Sequence, residues 1–295
     1  MSFFVAVFIG LIQGLTEFLP VSSSGHLVLF YNIFNITDNT IFLSVLLHLA
    51  TLFSILVVYR KDIISLIKKP FCKTNKLLLT STIPTVVIVL LFESFIKSTF
   101  DGRFLVFGFL ITAFILALSE FLSNKQTVMT KNYISKPKNN TIVYKSKTYL
   151  NSEFGTDLTK NTFTNNITNL NINYKQAFII GIAQGCAAFP AISRSGSTIA
   201  TGLLVGVNKE EMTTYSFLMS IPIIIASMLY ELLSVTSESI KSLPILNLIS
   251  SFIVSFIFGI IAIKFMIKIV KKQSLTNFSF YLIALSAIIL IFKFI

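Results

Sequence analysis

Residues 13–26 read Gln-Gly-Leu-Thr-Glu-Phe-Leu-Pro-Val-Ser-Ser-Ser-Gly-His, from Gln13 to His26, a polar stretch broken by Gly and Pro inside an otherwise apolar region of about residues 3–35. Backbone that leaves its helix at membrane depth survives only where protein or a water-filled cavity satisfies the freed N–H and C=O groups. The region is therefore expected to be a re-entrant helical hairpin. The bilayer itself follows from composition, with 54% hydrophobic and 12% charged residues and a mean hydropathy of +0.81.

A second region of the same kind spans about residues 174–206 and breaks at Pro190-Ala-Ile-Ser-Arg-Ser-Gly-Ser-Thr198. Gly10-Leu-Ile-Gln13-Gly14 matches Gly181-Ile-Ala-Gln184-Gly185, and Ser24-Gly25 matches Ser195-Gly196, both at an offset of 171 residues. The chain reads as duplicated. A span needs roughly 20 mostly apolar residues, and six further stretches qualify, at about 41–59, 77–95, 104–122, 212–233, 245–267 and 276–294. Each half is then one hairpin followed by three spans: residues 1–122, a polar insert over 123–173, and residues 174–295. Because three is odd, the second hairpin enters from the face opposite the first. The fold class expected is an all-α polytopic membrane protein, an inverted-topology repeat in which each half is one re-entrant helical hairpin plus three transmembrane helices.

Charge tests the orientation, since cytoplasmic loops hold the excess of Lys and Arg. Residues 60–76 carry six basic side chains against Asp62, residues 123–175 carry eight Lys against Glu153 and Asp157, and residues 264–273 carry four Lys and no acid. All three fall on one side of the duplicated scheme. The segments near Asp38, near Lys97, Asp101 and Arg103, and near Glu238 and Lys241 are almost balanced, so the first hairpin and both termini are expected outside the cell membrane. This asymmetry also accounts for the net charge of +12, which in a soluble chain would suggest nucleic acid. The insert, rich in Asn, Thr and Lys, reads as a flexible cytoplasmic linker with a β-prone run at Thr141–Tyr144. Cys72 and Cys186 have neither zinc nor disulfide spacing. Residues 1–10 lack a basic start and a cleavage site, so no removed signal peptide is expected.

Ionisable groups at membrane depth cost roughly 2.5 to 3.5 kcal/mol each on insertion scales and mark function. Here they are Glu17, His26, His48 and Arg194. Glu17 follows Gln13 by four residues, so on a helix the two share a face and can jointly bind a cation or a water, or simply satisfy a neighbouring helix terminus. After Pro20, the run Ser22, Ser23, Ser24 and Gly25 can surround an anion at a helix N-terminus, or close a turn on its own backbone. His26 has the chemistry to move a proton near neutral pH. Arg194 can meet a phosphate with a bidentate fork, with Ser193, Ser195, Gly196 and Thr198 around it. His48 sits in mid-span and reads as structural or supporting, and Glu93, Glu120 and Glu231 as interfacial. Opposed hairpins would bring Glu17, Ser23 and His26 against Arg194 near the midplane, where one pocket could hold an anionic head group.

The residues Gln13 to Glu17, Leu19-Pro20-Val21-Ser22-Ser23-Ser24-Gly25-His26 and Pro190 to Thr198 resemble the undecaprenyl-diphosphate phosphatase family known for bacitracin resistance. The resemblance covers nearly all of the chain outside the insert. It implies that Glu17 assists a metal or water, that Ser23 and His26 act on phosphorus, and that Arg194 holds the diphosphate. It also implies hydrolysis of the terminal phosphoanhydride of a C55 isoprenyl diphosphate, yielding the monophosphate carrier of cell-envelope glycans. A divalent cation, Mg2+ or Ca2+, held by Gln13 and Glu17, would belong to that chemistry. Two positions depart from the family: Ala191 stands where Gly is usual, and Ser24 where Thr is common. The partners expected are the lipid substrate and the bilayer, without nucleic acid and with a homodimer left open.

A polyprenyl-phosphate flippase or transporter is the rival, because inverted repeats with broken helices are common in transporters. The cluster of Glu17, Ser23 and His26 discriminates, since transport does not require it. The type 2 phosphatidic acid phosphatases share Ser-Gly-His and Ser-Arg pieces but need a His after the second. Here that stretch runs Gly196-Ser-Thr-Ile-Ala200-Thr201, so this reading is set aside.

Overall fold

A computed structural model describes residues 1–36, 40–99, 102–134, 167–233, 244–272 and 274–292, with the backbone alone at 97, 124–134 and 272. The described residues are all-helical. In the first half the helices are α1 (Phe3–Thr16), α2 (Ser23–Ile33), α3 (Thr40–Val58), α4 (Arg60–Lys68), α5 (Lys73–Leu91), α6 (Glu93–Ser98) and α7 (Leu105–Ile134). The second half has α8 (Tyr174–Cys186), α9 (Arg194–Leu204), α10 (Lys209–Leu232), α11 (Ile245–Lys272) and α12 (Thr276–Phe292). Five stretches are long and apolar enough to cross a bilayer: Thr40–Val58, Lys73–Leu91, Leu105–Ser123, Lys209–Leu232 and Ile245–Lys271. The chain is a multi-pass membrane protein. The sixth expected span is the apolar helix α12, 17 residues long.

The two broken regions form two helix pairs with matching local chemistry. α1 ends at Glu17, and Pro20, which has no N–H to donate, stands in the turn before α2. Ser22 caps α2, its hydroxyl accepting from Gly25 N at 3.3 Å, and Ser193 caps α9 by accepting from Gly196 N at 3.0 Å. Each turn carries a residue in the left-handed region, Ser22 at φ 68° and Ala191 at φ 61°. That conformation costs an L side chain roughly 1 to 2 kcal/mol. Ala191 is thus a methyl-bearing residue at a position glycine adopts freely, enclosed by Gly25 and Gly108, where an added Cβ would collide with it.

Packing exchanges the two pairs between the halves. α1 lies along α11 and α8 along α5, while α3 meets α10 and α7 meets α12. Small residues make the close approaches feasible, because lipid gives helices no hydrophobic reason to associate and van der Waals contact must do so. A Cβ added at Gly10 would strike the Ser251 carbonyl of α11, and one at Gly181 the Ser81 carbonyl of α5. Outward, Phe107, Phe114 and Phe121 recur every seven residues and leave one exposed apolar stripe on α7.

At the basic end, Lys209 Nζ lies 3.1 and 3.2 Å from the two oxygens of Glu120, tying the start of α10 to α7. Glu120, expected near the interface at a span end, is 9% exposed and holds this pair. The insert differs in part from a bare linker. α7 continues to Ile134, and Leu170 and Ile172 just before α8 are buried beside Leu77 and Tyr215. The β-prone run Thr141–Tyr144 lies outside the described residues.

Candidate active site

Glu17 closes α1, its N–H bonded to the Gln13 carbonyl at 3.0 Å, so the last helical turn aims the carboxylate into the gap between the two pairs. The side chain is 4% exposed. Burial of a carboxylate is costly unless each oxygen is paired, and four side chains surround this one. Oε2 accepts from Ser23 Oγ at 2.6 Å and from Gln13 Nε2 at 3.0 Å. Oε1 accepts from Arg194 Nη2. His48 Nε2 from α3 stands 3.8 Å from Oε2, with its Nδ1 donating to the Ser44 carbonyl at 2.7 Å.

Ser23 is the first residue of α2 and Arg194 the first residue of α9. Two helix N-termini therefore converge on one carboxylate, each offering first-turn N–H groups that no helical carbonyl can reach. The frame around them is satisfied internally. Ser193 N donates to Thr112 Oγ1 of α7 at 3.0 Å, Ser195 Oγ donates to the Leu19 carbonyl at 3.0 Å, and Thr198 Oγ1 lies 2.7 Å from Ser216 Oγ of α10. The Ser22–Ser24 and Ser193–Ser195 hydroxyl pairs are each 3.3 Å apart. These bonds lock the register of the two turns.

Two buried polar atoms in the cluster have no partner among the described residues: Gln13 Oε1 and Arg194 Nη1. A buried donor or acceptor left unpaired costs about 1 to 3 kcal/mol, so such atoms mark where a ligand's own groups belong. An amide oxygen beside a carboxylate suits a hard cation, and a free guanidinium N–H suits a phosphate oxygen. The paired Glu17 and Arg194 cancel in charge, so a multiply charged diphosphate entering here would need further positive charge. Gln13 Oε1 and the Glu17 carboxylate are oxygen donors of the kind a hard cation takes, and among the described residues no group of three or more His, Cys, Asp or Glu gathers that could hold a metal ion.

Of the residues expected from the sequence, Gln13, Glu17, Ser23 and Arg194 meet in one hydrogen-bonded cluster. Ser22, Gly25, Ser193, Ser195, Gly196 and Thr198 form the two capped turns, and Ser24 pairs with the Ser22 hydroxyl. His26 is different: it is buried, yet no hydrogen bond joins its ring to Glu17, Ser23 or Arg194 among the described residues. Its Nδ1 meets the Ser22 carbonyl and its Nε2 the Tyr281 hydroxyl, each at 2.7 Å. His48 was read as structural or supporting, and its place beside Glu17 fits the supporting role. Tyr281 and Thr112 were missed. Nothing near them in the chain distinguishes them from any other Tyr or Thr of an apolar helix.

Known proteins similar to this chain match it over nearly its whole length. A family model described as "Bacitracin resistance protein BacA" matches residues 6–288. The chain is 36% identical over 296 residues to a Carboxydothermus hydrogenoformans protein named undecaprenyl-diphosphatase, covering 99% of this chain and 98% of that one. It is 34% identical over 295 residues to undecaprenyl-diphosphatase 4 of Bacillus cereus, with 100% and 98% covered. It is also 36% identical over 293 residues to an undecaprenyl-diphosphatase of Bacteroides fragilis, with 95% and 94% covered.

Proposed function

The chain belongs to the bacitracin resistance protein BacA family, and from that membership we propose that it hydrolyses undecaprenyl diphosphate to the monophosphate and inorganic phosphate. The observation that carries the reading at the level of chemistry is the convergence of Ser23, Arg194 and Gln13 on the buried carboxylate of Glu17. Transport alone would not call for a hydroxyl and a guanidinium on one buried carboxylate.

In the substrate-free protein Arg194 is neutralised by Glu17. An arriving diphosphate takes the guanidinium, aided by its unpartnered Nη1 and by the first-turn N–H groups of α2 and α9. Glu17 is then free to accept the proton of the attacking hydroxyl, that of Ser23 or of a water held by Ser23. The bond from the terminal phosphorus to the bridging oxygen breaks as the new P–O bond forms, and the bridging oxygen leaves on the lipid monophosphate. A water nucleophile gives inorganic phosphate directly, whereas with Ser23 a water then attacks the phosphoserine and the proton held by Glu17 returns to Ser23 Oγ, freeing inorganic phosphate. His26 lies one turn along α2 from Ser23, and its neutral ring is a proton acceptor for a proton-bearing oxygen of water or substrate. A divalent cation, Mg2+ or Ca2+, bound at Glu17 and Gln13 would neutralise charge on the phosphoryl oxygens.

We also propose that the halves are inverted-topology repeats whose helix pairs α1–α2 and α8–α9 re-enter the membrane. The exchanged packing of α1 on α11 and α8 on α5 supports this. With the Lys-rich segments in the cytoplasm, the first pair enters from the external face of the cell membrane. Cysteines placed singly at Asn39 and Asn140 in a chain without Cys72 and Cys186 test the orientation. An impermeant thiol reagent should label the first and spare the second in intact cells.

The function is tested with purified protein in detergent and a long-chain polyprenyl diphosphate. Phosphate release that chelation suppresses is the expected result. Lipid movement across vesicles by a protein that releases no phosphate would favour the flippase reading.

A further inference from the structure

His26 is 2% exposed, and its ring lies between two aromatic side chains. Phe109 of α7 approaches edge-on at 5.3 Å and 69°, while Tyr281 of α12 lies parallel at 5.8 Å and 5°. The Ser22 carbonyl meets the imidazole at Nδ1 and the Tyr281 hydroxyl at Nε2, and the Val21 backbone also reaches the ring. A carbonyl can only accept, so Nδ1 carries a proton. In the neutral ring Nε2 is then the lone-pair nitrogen, and the Tyr281 hydroxyl donates to it.

We propose that Tyr281 is a positioning residue for His26, holding the neutral ring in its Nδ1–H tautomer with Nε2 as the nitrogen presented for proton transfer. The proposal rests on the diphosphatase reading for the use made of His26; the contact stands apart from it. Two anchors on opposite nitrogens fix the ring, because a half-turn of the imidazole would set carbon atoms against both the Ser22 carbonyl and the Tyr281 hydroxyl. Phe109, the other flanking ring, has no polar atom to replace that hydroxyl, and Tyr281→Phe would leave Nε2 a buried acceptor without a donor. Tyr281 itself is 46% exposed, with an outer edge turned from the core and a hydroxyl reaching the buried nitrogen. With its lone pair on Nε2 the neutral ring can accept a proton there, so proton transfer at His26 begins when a proton-bearing oxygen of water or substrate replaces the Tyr281 hydroxyl at Nε2 and gives its proton to the ring.

The test is Tyr281→Phe, which keeps the ring and removes the hydroxyl. Because the chain has two His, 15N-histidine labelling gives four imidazole nitrogens, and a His26→Gln sample identifies those of residue 26. In the substrate-free wild type His26 should show a protonated Nδ1 and a bare Nε2. In the variant the Nε2 resonance should move towards that of a free acceptor. With polyprenyl diphosphate as substrate, kcat should fall about tenfold, which is about 1.4 kcal/mol, with KM changed less than twofold.

A wild-type spectrum with the proton on Nε2, or an Nε2 resonance that ignores the variant, overturns the contact. The wild-type spectrum gives this answer even if the variant does not fold. A shifted Nε2 with unchanged kcat overturns the positioning role. A wild type that releases no phosphate while showing the expected tautomer overturns the diphosphatase reading and leaves the contact standing.

Discussion

The helix pairs α1–α2 and α8–α9 have the same frame and opposite chemistry. Both carry a Ser cap bonded to a Gly N–H, a left-handed residue in the turn and a pair of Gly residues that let the first helix press on a partner from the other half. At the same offset of 171 residues, however, Glu17 corresponds to Ala188, Ser23 to Arg194 and His26 to Ser197. One pair supplies the carboxylate and the imidazole, and the other the guanidinium. The two matching pairs offer two helix N-termini to one anion, with the charged groups shared between them. A buried site that kept Glu in both copies would hold two carboxylates against one incoming anion, a costly arrangement in a low dielectric.

The comparison breaks most visibly at its charged centre. Glu17→Ala or Arg194→Ala should each lower phosphate release about a hundredfold to a thousandfold, the loss typical of removing one group that stabilises developing charge. Full activity in both variants would sink the site. Moving the acid to the other copy sharpens the point: Glu17→Ala combined with Ala188→Glu should stay as inactive as Glu17→Ala, because the position equivalent to Arg194 in the first pair is Ser23. Recovery in that double variant would mean that the two copies are interchangeable.

The Ser23→Ala variant asks for less. If Ser23 positions the phosphate or a water, phosphate release should fall about tenfold with no burst, as expected for one lost hydrogen bond to a charged group. A fall as large as that of Glu17→Ala, with loss of a wild-type burst, would make Ser23 the covalent nucleophile.

The shared frame should respond alike in both copies. Gly10→Leu and Gly181→Leu overpack equivalent helix contacts and should each cost about 1 to 3 kcal/mol, read as a lower midpoint of thermal unfolding in detergent. A large effect in one copy alone would show that the packing is not equivalent. Smallest of all, Ala191→Gly gains about 1 to 2 kcal/mol by relieving the left-handed strain. It loses about 0.8 kcal/mol of buried methyl and about 0.5 to 1 kcal/mol of chain entropy. The midpoint should hardly move.

Much of this was legible along the chain. Gly10, Gly14, Gly181 and Gly185 recur at one offset of 171 residues and marked the two regions as alike, and in the structure each pair sits where its helix presses on a neighbour. Glu17 and Arg194 stood out because a charge in an apolar segment needs a reason. His26 was legible as a residue and not as a geometry. Its closeness to Ser23 in the chain suggested a place in the cluster, while the helix turns its ring to Tyr281, 255 residues away. His48 showed the same limit, since mid-span burial signals a partner without naming it.

By itself the sequence determined the membrane setting, the likeness of the two broken regions and the list of costly buried groups, because hydropathy, spacing and charge act locally and are written residue by residue. The tertiary structure alone decided which groups meet. Arg194 reaches Glu17 across 177 residues only because α1 and α8 each pack on the opposite half. Tyr281 becomes part of the site only because α12 lies against α7. Such contacts depend on the close approach of distant helices, and no local property of either segment encodes the other's position.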